Sequence, residues 1–244
     1  EFPTLRQYKG LSGFPDPKES EYDPFISGHS GHAISAALGI SCADKIKGID
    51  DRKAIAIVGD AAIGAGMSLE ALNHAGHLKR NLIVILNDNK MAISGTIGAI
   101  SKHLNKIRTS PLYTDFKKEV RHVLHSLPIV GKRMEHSFEH IAEALKREIT
   151  PGQIFVDLGF DYFGPIDGHS IETLTDIFNN IKKVEGPILL HVITEKGKGF
   201  HPASENPARF HSAGNYQMQN GKMMEKPKDP KQIGYTKVFG DTMI

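Results

Sequence analysis

The sequence predicts an α/β fold in which an open parallel sheet is covered by helices on both faces. Two short apolar runs, residues 54–58 (AIAIV) and 82–86 (LIVIL), are rich in β-branched residues and too short for helices, which is typical of buried strands. Between them, residues 67–78 carry apolar side chains at helical spacing. Because helices and strands alternate along most of the chain, a parallel sheet with helical crossovers is the favoured architecture.

The amino-terminal part of the chain is expected to begin with irregular structure and to continue into a helix. Residues 1–28 contain many glycines and prolines, which are typical of loops. Apolar side chains then recur every four positions from 34 to 46, and this spacing predicts a helix over residues 29–47. The polar stretch 27–30 (SGHS) would lie at its amino terminus, where side-chain oxygens cap free N–H groups.

The remainder of the chain is expected to alternate between loops, helices and strands. The polar, glycine-dotted stretch after Ser94 predicts a long mobile loop. Two amphipathic patterns between Ser110 and Ile149 predict an inserted helical hairpin. The elements expected after it are a strand over residues 154–158, a loop over 160–170 in which Ser170 caps the next helix, a helix over 171–184 and a strand over 188–193.

The composition argues against several classes of function. The formal net charge is +2, so neither a nucleic acid nor a membrane surface is expected as a partner. No apolar run approaches the roughly 20 residues of a membrane span. The single cysteine, Cys42, excludes an internal disulfide and is typical of a reducing compartment. Since the chain lacks an initial Met and ends within an apolar pattern, we expect an interior piece of a longer protein.

Polar groups stand where the strands of the first strand–helix–strand unit end. Asp60 comes directly after the first strand, and Asn87-Asp88-Asn89 follows the second. Ligands of open α/β sheets bind beyond such carboxyl ends. The Asp60 carboxylate, the side-chain carbonyl of Asn89 and the backbone oxygen near Met91 suit a magnesium ion, which takes oxygen ligands and shares them with a phosphate. The alternative is that these are ordinary turn residues.

The turn after the first strand predicts the other half of this site. Residues 59–66 are almost all small and open a helix, whose free N–H groups and positive dipole end suit a diphosphate. A dinucleotide-binding module is a weaker alternative. Gly64 and Gly66 begin a G-x-G pattern, but Leu69 stands where the third glycine should be, so we set this alternative aside.

These motifs resemble those of thiamine-diphosphate enzymes. Gly59-Asp60, followed by a helix, a strand and Asn87-Asp88-Asn89, is similar to their Gly-Asp-Gly…Asn-Asn signature. The surrounding sequence, with SGHSGHAISAALGI before it and FGPIDGH and EKGKGF after it, resembles the 1-deoxy-D-xylulose-5-phosphate synthase family. The resemblance extends over nearly the whole chain, from FPTLRQYKGLSGFP to KVFGD.

The resemblance implies a fold, an activity and partners. The fold would be the thiamine-diphosphate-binding fold, with thiamine diphosphate and Mg²⁺ as cofactors. The full protein would condense pyruvate with glyceraldehyde 3-phosphate, releasing carbon dioxide, in isoprenoid biosynthesis. It would be a homodimer in the bacterial cytoplasm or the plastid stroma. A transketolase that acts without decarboxylation and a non-catalytic cofactor-binding remnant stay as alternatives.

The resemblance also assigns cofactor contacts to the start of the predicted helix 29–47 and to the turn after the first strand. Gly28, His29 and Ser30 would lie beside the cofactor, with His29 near its reacting part, although His29 also fits an ordinary capping residue. Ala61 and Ala62 would approach the diphosphate. Ala61 stands where the family usually has glycine. Its Cβ would either strain a turn of positive φ or crowd the diphosphate.

The loop TEKGKGFH supplies the remaining contacts that the resemblance implies. Lys196 would offset the charge of the diphosphate. Phe200 matches another position close to the cofactor, where the family usually has Tyr, so the ring is kept and a hydroxyl is lost. His211 in ARFHSAG matches an active-site histidine, so His29 and His211 are the catalytic candidates. Without the family, a KGKG turn is typical of a solvated loop.

Two domains are expected along the chain. Residues 1–225 would form the diphosphate-binding domain, and residues 226–244 a linker with the start of a pyrimidine-binding domain. By resemblance, that second domain carries the glutamate that activates the cofactor. Residues 1–244 alone would therefore fold without being active.

Overall fold

The chain folds into two units, Glu1–Thr194 and Glu195–Ile244. The structure, a computed structural model, describes residues 2–21, 23–109, 152–211, 216–219, 222–225 and 233–243. The helical hairpin predicted between Ser110 and Ile149 lies outside these residues. Within the described residues, no helix is long and apolar enough to cross a membrane.

A parallel sheet forms the centre of the first unit. Its strands are β1 (Ala54–Gly59), β2 (Leu82–Asp88), β3 (Asp161–Asp167) and β4 (Pro187–Ile193). They pair in the order β1-β2-β4-β3, and all three pairings are parallel. The α-helices described in this unit are α1 (Ala33–Ile46), α2 (Gly66–Leu78), α3 (Ala99–Thr109), α4 (Gln153–Asp157) and α5 (Ile171–Ile181). The predicted α/β class with a parallel sheet is confirmed.

Helices pack on both faces of the sheet. On the first face, α1, α2 and α3 enclose a core with alternate residues of β1 and β2, among them Ala56 and Val84. On the second face, α5 packs against alternate residues of β4, among them Leu190. Ile55 and Ile57 of β1 also point to the second face but stay exposed among the described residues. The run 54–58 is therefore buried only at alternate positions, because β1 is an edge strand.

Several predicted elements are present with shifted ends. The helix predicted over residues 29–47 is α1, which begins four residues later. Gly31, just before its cap residue His32, adopts φ +92°, and this left-handed conformation cannot belong to a right-handed helix. His32 makes no side-chain capping hydrogen bond, so the cap predicted at residues 27–30 is wrong. The cap predicted at Ser170 is confirmed, because its Oγ accepts the Thr173 N–H at 3.3 Å.

Two predicted elements near the third strand are wrong. The strand predicted over residues 154–158 is replaced by the short helix α4, in which Phe155 is buried while Ile154 and Val156 are exposed. The predicted loop over 160–170 contains β3. The Gly164-Pro165 pair is typical of a loop, yet it only shifts the register between Phe163 and Ile166. An edge strand tolerates such a pair at an irregularity, because proline lacks the backbone N–H donor but keeps its carbonyl acceptor.

The long loop predicted after Ser94 is also wrong over most of its length. From Ala99 onward the chain forms α3. Leu104 and Ile107 of this helix are buried in the first core, and Ile100 packs against them. Ile100, Leu104 and Ile107 are four and three positions apart, which is helical spacing. The polar residues between them make this apolar pattern weak in the sequence.

The second unit is described through small elements. They are a short helix α6 (His201–Glu205), an antiparallel pair β5 (Tyr216–Gln219) and β6 (Lys222–Glu225), and a helix α7 (Tyr235–Thr242). The predicted domain boundary at residues 225 and 226 stays a prediction.

Candidate functional site

The carboxyl ends of three neighbouring strands meet at one edge of the sheet. Gly59 of β1 lies opposite Asn87 of β2, and Asn87 lies opposite Val192 of β4. Beyond these pairs, the Asp60 N–H donates to the Asn87 carbonyl at 3.3 Å, and the Thr194 N–H donates to the Asp88 carbonyl at 3.0 Å. The aligned strand ends therefore bring Asp60 and Asp88 side by side, as the positions of these residues after their strands predicted.

Three ionisable side chains share the first face of the sheet at this edge. Asp60, Asp88 and His191 alternate in phase with the core residues Val58, Leu86 and Leu189, since side chains along a strand point to opposite faces in turn. All three are buried. Buried ionisable groups require partners or a ligand, so this cluster marks the edge as the candidate site.

Asp60 is the member of this cluster with the weakest stabilisation. Its Oδ2 accepts the Thr96 hydroxyl at 3.4 Å, which is a long hydrogen bond. Burial raises the pKa of Asp60 above its ordinary value, and the negative charge of Asp88 raises it further. The hydrogen bonds from the Thr96 hydroxyl and the Ala61 N–H and the positive charge of Arg108 lower this pKa, but by less than burial and Asp88 raise it. A cation bound at Asp60 would relieve both causes of this shift.

The loop that follows β2 carries the other two predicted metal ligands. Asn89 Oδ1 accepts the Met91 N–H at 2.9 Å, which uses one of the two lone pairs of this oxygen. The Thr96 N–H donates to the Lys90 carbonyl at 3.2 Å, so the loop folds back on itself. Through Thr96 it contacts Asp60. The structure thus brings Asp60 against the loop of Asn89 and Met91, and their role as metal ligands stays a prediction.

The turn between β1 and α2 has an ordinary backbone. Ala61 adopts φ −74° and ψ −39°, which any residue accepts. Backbone strain, one of the two effects expected from a Cβ at Ala61, is therefore absent. Ala62 begins a short 3₁₀ turn, Ala62–Gly64, and α2 follows from Gly66 without a side-chain cap at Ala65. This leaves the amino terminus of α2 open to an anion.

A buried serine ties this turn to the segment before α1. Ser68 Oγ lies 2.9 Å from the Gly31 carbonyl and 2.8 Å from the Ala62 carbonyl. The predicted cofactor contacts Gly28, His29 and Ser30 stand just upstream of Gly31 and are exposed. Ser68 therefore holds the chain that carries them close to the turn of Ala61 and Ala62.

Sequence reasoning missed the partners of Asp88. The Asp88 carboxylate accepts hydrogen bonds from Arg108 of α3 and, at 3.0 Å, from His191 Nε2 of β4. His191 Nδ1 lies 2.8 Å from the Tyr162 hydroxyl of β3. Burial acts to raise the pKa of Asp88, but the hydrogen bond and charge of His191 and the charge of Arg108 outweigh it and lower the pKa. A histidine within the apolar run ILLHVI was the one available signal.

A cavity of about 360 Å³ opens beside the loop after β2. It lies between this loop and α3, and Thr96 belongs to its lining together with the cations Lys90, Lys102 and Arg108. Because cations from both the loop and α3 line this cavity, it suits a ligand that carries negative charge.

The other predicted site residues lie in the second unit. Lys196 donates a hydrogen bond to His211 Nδ1, so the structure brings these two together. Phe200 is exposed and packs edge-to-face on Phe210, with ring centroids 5.7 Å apart. Gly197 has φ +86°, and a Cβ there would lie 2.5 Å from the Ala203 backbone, so this turn of the KGKG stretch requires glycine. The predicted roles of Lys196, Phe200 and His211 stay predictions.

The chain is similar to one family over its whole length. The family model of 1-deoxy-D-xylulose-5-phosphate synthase matches residues 1–194. A 1-deoxy-D-xylulose-5-phosphate synthase of Desulforudis audaxviator is 46% identical over 244 residues, which are 100% of this chain and 38% of the relative. One of Natranaerobius thermophilus is 45% identical over 243 residues, with the same coverage. The chain thus spans 38% of the length of these relatives.

Among solved structures, the transketolase from Leishmania mexicana has a similar fold. The TM-score is 0.50 at 19% sequence identity, over 78% of this chain and 23% of that protein. At this identity the likeness concerns the fold alone.

Proposed function

The chain belongs to the 1-deoxy-D-xylulose-5-phosphate synthase family, and from this premise we propose that its full-length protein catalyses the reaction of that name. Pyruvate loses carbon dioxide, and the remaining two-carbon unit is joined to glyceraldehyde 3-phosphate. The observation that carries the proposal is the 46% identity to a relative of this name across all 244 residues. The buried carboxylates at the strand ends support it independently.

Magnesium is the metal that the candidate site fits. Asp60 offers a buried carboxylate whose pKa is raised by burial and by the charge of Asp88, and Asn89 and Met91 would add an amide and a backbone oxygen. Among the described residues, no three His, Cys, Asp or Glu side chains form a metal-binding cluster. One carboxylate with neutral oxygens suits a cation that takes its other ligands from a diphosphate and water.

The diphosphate of thiamine diphosphate would lie at the turn between β1 and α2. Backbone N–H groups near Ala61 and Ala62 and at the uncapped start of α2 would bind its oxygens. Gly28, His29 and Ser30 would lie beside the cofactor, on the segment that Ser68 ties to this turn. Lys196 would offset the charge of the diphosphate, and Phe200 would contact the cofactor with its ring.

Thiamine diphosphate supplies the electron sink that decarboxylation of a 2-oxo acid requires. The protein would bind the cofactor, exclude water and move protons. His29 and His211 are the candidates for proton transfer, since histidine changes charge near neutral pH. The hydrogen bond from Lys196 to His211 Nδ1 would leave Nε2 of that ring for a substrate or the cofactor.

The proposal extends to partners and location. The full-length protein would act as a homodimer on pyruvate and glyceraldehyde 3-phosphate, in the bacterial cytoplasm or the plastid stroma. Residues 1–225 would form the diphosphate-binding domain and residues 226–244 would lead into the pyrimidine-binding domain.

A product assay with the full-length protein tests this proposal. With thiamine diphosphate, Mg²⁺, glyceraldehyde 3-phosphate and carboxyl-labelled pyruvate, we expect labelled carbon dioxide and deoxyxylulose phosphate in equal amounts. A transketolase would instead transfer a two-carbon unit between sugar phosphates without carbon dioxide. Transfer from xylulose 5-phosphate to ribose 5-phosphate, with pyruvate left untouched, would overturn the proposal in favour of that alternative. Binding of the cofactor without either reaction would favour a cofactor-binding remnant.

A further inference from the structure

Four side chains connect three strands and a helix beneath the loop of Asn89 and Met91. Tyr162 of β3, His191 of β4 and Asp88 of β2 form a chain of hydrogen bonds, with 2.8 Å between Tyr162 Oη and His191 Nδ1 and 3.0 Å between His191 Nε2 and Asp88 Oδ2. Arg108 of α3 donates to the other oxygen, Asp88 Oδ1. We call these four residues the Asp88 cluster.

The direction of the hydrogen bonds to Asp88 follows from its ionised carboxylate. An ionised carboxylate only accepts, so His191 Nε2 carries a proton and donates it to Asp88. The other ring nitrogen, Nδ1, lies 2.8 Å from the Tyr162 hydroxyl and forms a hydrogen bond with it. Each member thereby fixes the orientation of the next, and Asp88 is held from two sides.

Asp88 is not available as a metal ligand itself. Its side chain is 0% exposed, and its two oxygens are engaged by Arg108 and His191. Asp88 therefore differs from Asp60, whose carboxylate receives the long bond from Thr96. A role for Asp88 must act through its neighbours in the chain and in space.

Asp88 contacts the start of the segment that carries the predicted metal ligands, and it also contacts the helix that follows this segment. It directly precedes Asn89, and its Oδ1 lies 3.4 Å from the Lys90 backbone nitrogen. Arg108, bound to the same oxygen, stands in the last turn of α3, which continues the chain after Thr96. The carboxylate of Asp88 thus connects the start of the loop after β2 with the last turn of α3. Lys90 within it has φ +62°, so the chain turns sharply just after Asn89.

We propose that Asp88 is a positioning residue of the metal site, which orients Asn89 and Met91 for Mg²⁺ because Arg108, His191 and Tyr162 fix its carboxylate. This inference rests on the proposed function, since it presupposes the metal. Partners behind metal ligands commonly change metal affinity by about 10–100-fold when they are replaced. The structure assigns this role to Asp88 from its contacts on both sides of the loop.

The variants Asp88→Asn and Tyr162→Phe test the proposal in the full-length protein. The side-chain amide introduced by Asp88→Asn offers one oxygen to two donors, so it loses either Arg108 or His191. The matched control is Asp44→Asn. Asp44 is also a buried aspartate paired with an arginine, Arg52, but it belongs to α1 and lies away from the loop after β2.

The measurement is calorimetric titration of Mg²⁺ into each protein with saturating thiamine diphosphate, with thermal unfolding recorded in parallel. We expect Asp88→Asn to weaken Mg²⁺ binding by about 10–100-fold, and kcat to recover when Mg²⁺ is raised to saturation. Tyr162→Phe should also weaken Mg²⁺ binding, but by less. This variant tests the role of the Asp88 cluster if Asp88→Asn does not fold. Asp44→Asn should lower the unfolding temperature and leave Mg²⁺ affinity unchanged.

Two results would overturn the inference while leaving the proposed function intact. In one, wild type binds Mg²⁺ in the presence of the cofactor, and the folded Asp88→Asn protein binds Mg²⁺ with the same affinity. If Asp88→Asn does not fold, the same result for Tyr162→Phe counts instead. In the other, Asp44→Asn weakens Mg²⁺ binding as much as Asp88→Asn, which would mean a general loss of stability. Wild type that binds thiamine diphosphate without any metal would instead overturn the metal site on which the inference rests.

Discussion

The two ends of the parallel sheet use the same residue types for different purposes. Each end has a buried aspartate that is paired with an arginine, Asp44 with Arg52 near the amino ends of the strands and Asp88 with Arg108 at the carboxyl ends. At the carboxyl end a second buried aspartate, Asp60, adds negative charge. We therefore place the candidate site at the end where an additional carboxylate lies beside the aspartate–arginine pair.

At the amino end the polar groups satisfy one another. Asn81 Nδ2 donates to the Asp50 carbonyl at 3.2 Å, and Asn81 Oδ1 accepts the Gly186 N–H at 3.2 Å. The Asn81 carbonyl accepts the Ser41 hydroxyl at 3.2 Å. This set of hydrogen bonds connects α1 with the loops at this end of the sheet. We therefore expect substitutions at this end to change stability alone.

At the carboxyl end the charges are not balanced by the described side chains nearest to them. Arg108 pairs with Asp88, and the pKa of Asp60 is raised although Arg108 also lies close enough to lower it. Loss of a carboxylate here should therefore change ligand binding, and for Asp60 it should even stabilise the protein without cofactor.

The largest expected effect is that of Asp60→Ala in the full-length protein. Since Asp60 is the carboxylate that would bind Mg²⁺, its loss should abolish Mg²⁺-dependent binding of thiamine diphosphate while the fold is kept. Calorimetric titration with and without Mg²⁺ measures this, and circular dichroism checks the fold. Asp161→Ala, at an exposed aspartate at the start of β3, is the control and should bind as wild type does. Unchanged affinity of Asp60→Ala would remove Asp60 from the site.

The arginines at the two ends should differ in their effect on stability. Arg108 is 7% exposed, and Arg108→Met would remove one of the two side chains that stabilise the buried charge of Asp88, which costs about 3 kcal/mol or more. Arg52 is 59% exposed, so Arg52→Met should cost less than about 1 kcal/mol. Calorimetry without cofactor measures both unfolding temperatures. Equal losses for the two variants would show that the two pairs are equivalent and would contradict the comparison.

Asp60→Asn should make the cofactor-free protein more stable at neutral pH. The pKa of Asp60 in the folded protein is raised by burial and by the charge of Asp88. Ionisation of Asp60 therefore lowers the free energy of unfolding, and this loss develops as the pH rises from about 4 through the folded-state pKa. Removing the charge should therefore raise the free energy and the temperature of unfolding. The gain should be largest at neutral pH and vanish below about pH 4, where Asp60 is protonated in both states. A gain that is the same at both pH values would exclude the charge as its cause.

The smallest effect is expected for Ala61→Gly. The backbone at Ala61 is right-handed, so there is no strain for glycine to relieve. We expect thiamine diphosphate affinity within about twofold of wild type and a stability loss of about 0.5–1 kcal/mol from the more flexible unfolded chain. Affinity that tightens several-fold would show that the Cβ crowds the diphosphate, the other half of our original expectation.

The sequence predicted those parts of the fold and site that depend on local pattern. The strands β1, β2 and β4 and the helices α2 and α5 follow from apolar periodicity. The positions of Asp60 and Asn89 just after β1 and β2 follow from the same pattern, and their roles as metal ligands stay predictions. The strand β3 was missed because Gly164-Pro165 is typical of loops, and α3 because only Ile100, Leu104 and Ile107 mark its apolar face.

The Asp88 cluster could not be predicted, because its contacts join residues that are distant in the chain. His191 is 103 residues from Asp88, and Arg108 comes from a helix that was expected to be a loop. No local pattern encodes which arginine meets which carboxylate. The strand register does so, and it appears only once the order β1-β2-β4-β3 is known.

An anomalous difference map of the full-length protein with Mn²⁺ in place of Mg²⁺ and thiamine diphosphate tests the central claim most directly. The claim is that the carboxyl end of the sheet, and not its amino end, binds the metal. We expect one strong peak within about 2.0–2.3 Å of an Asp60 carboxylate oxygen, with Asn89 Oδ1 and the Met91 carbonyl completing the protein ligands and Asp88 outside the coordination shell. A fully occupied metal that coordinates Asp88 or Asp44, with Asp60 free of it, would contradict the account.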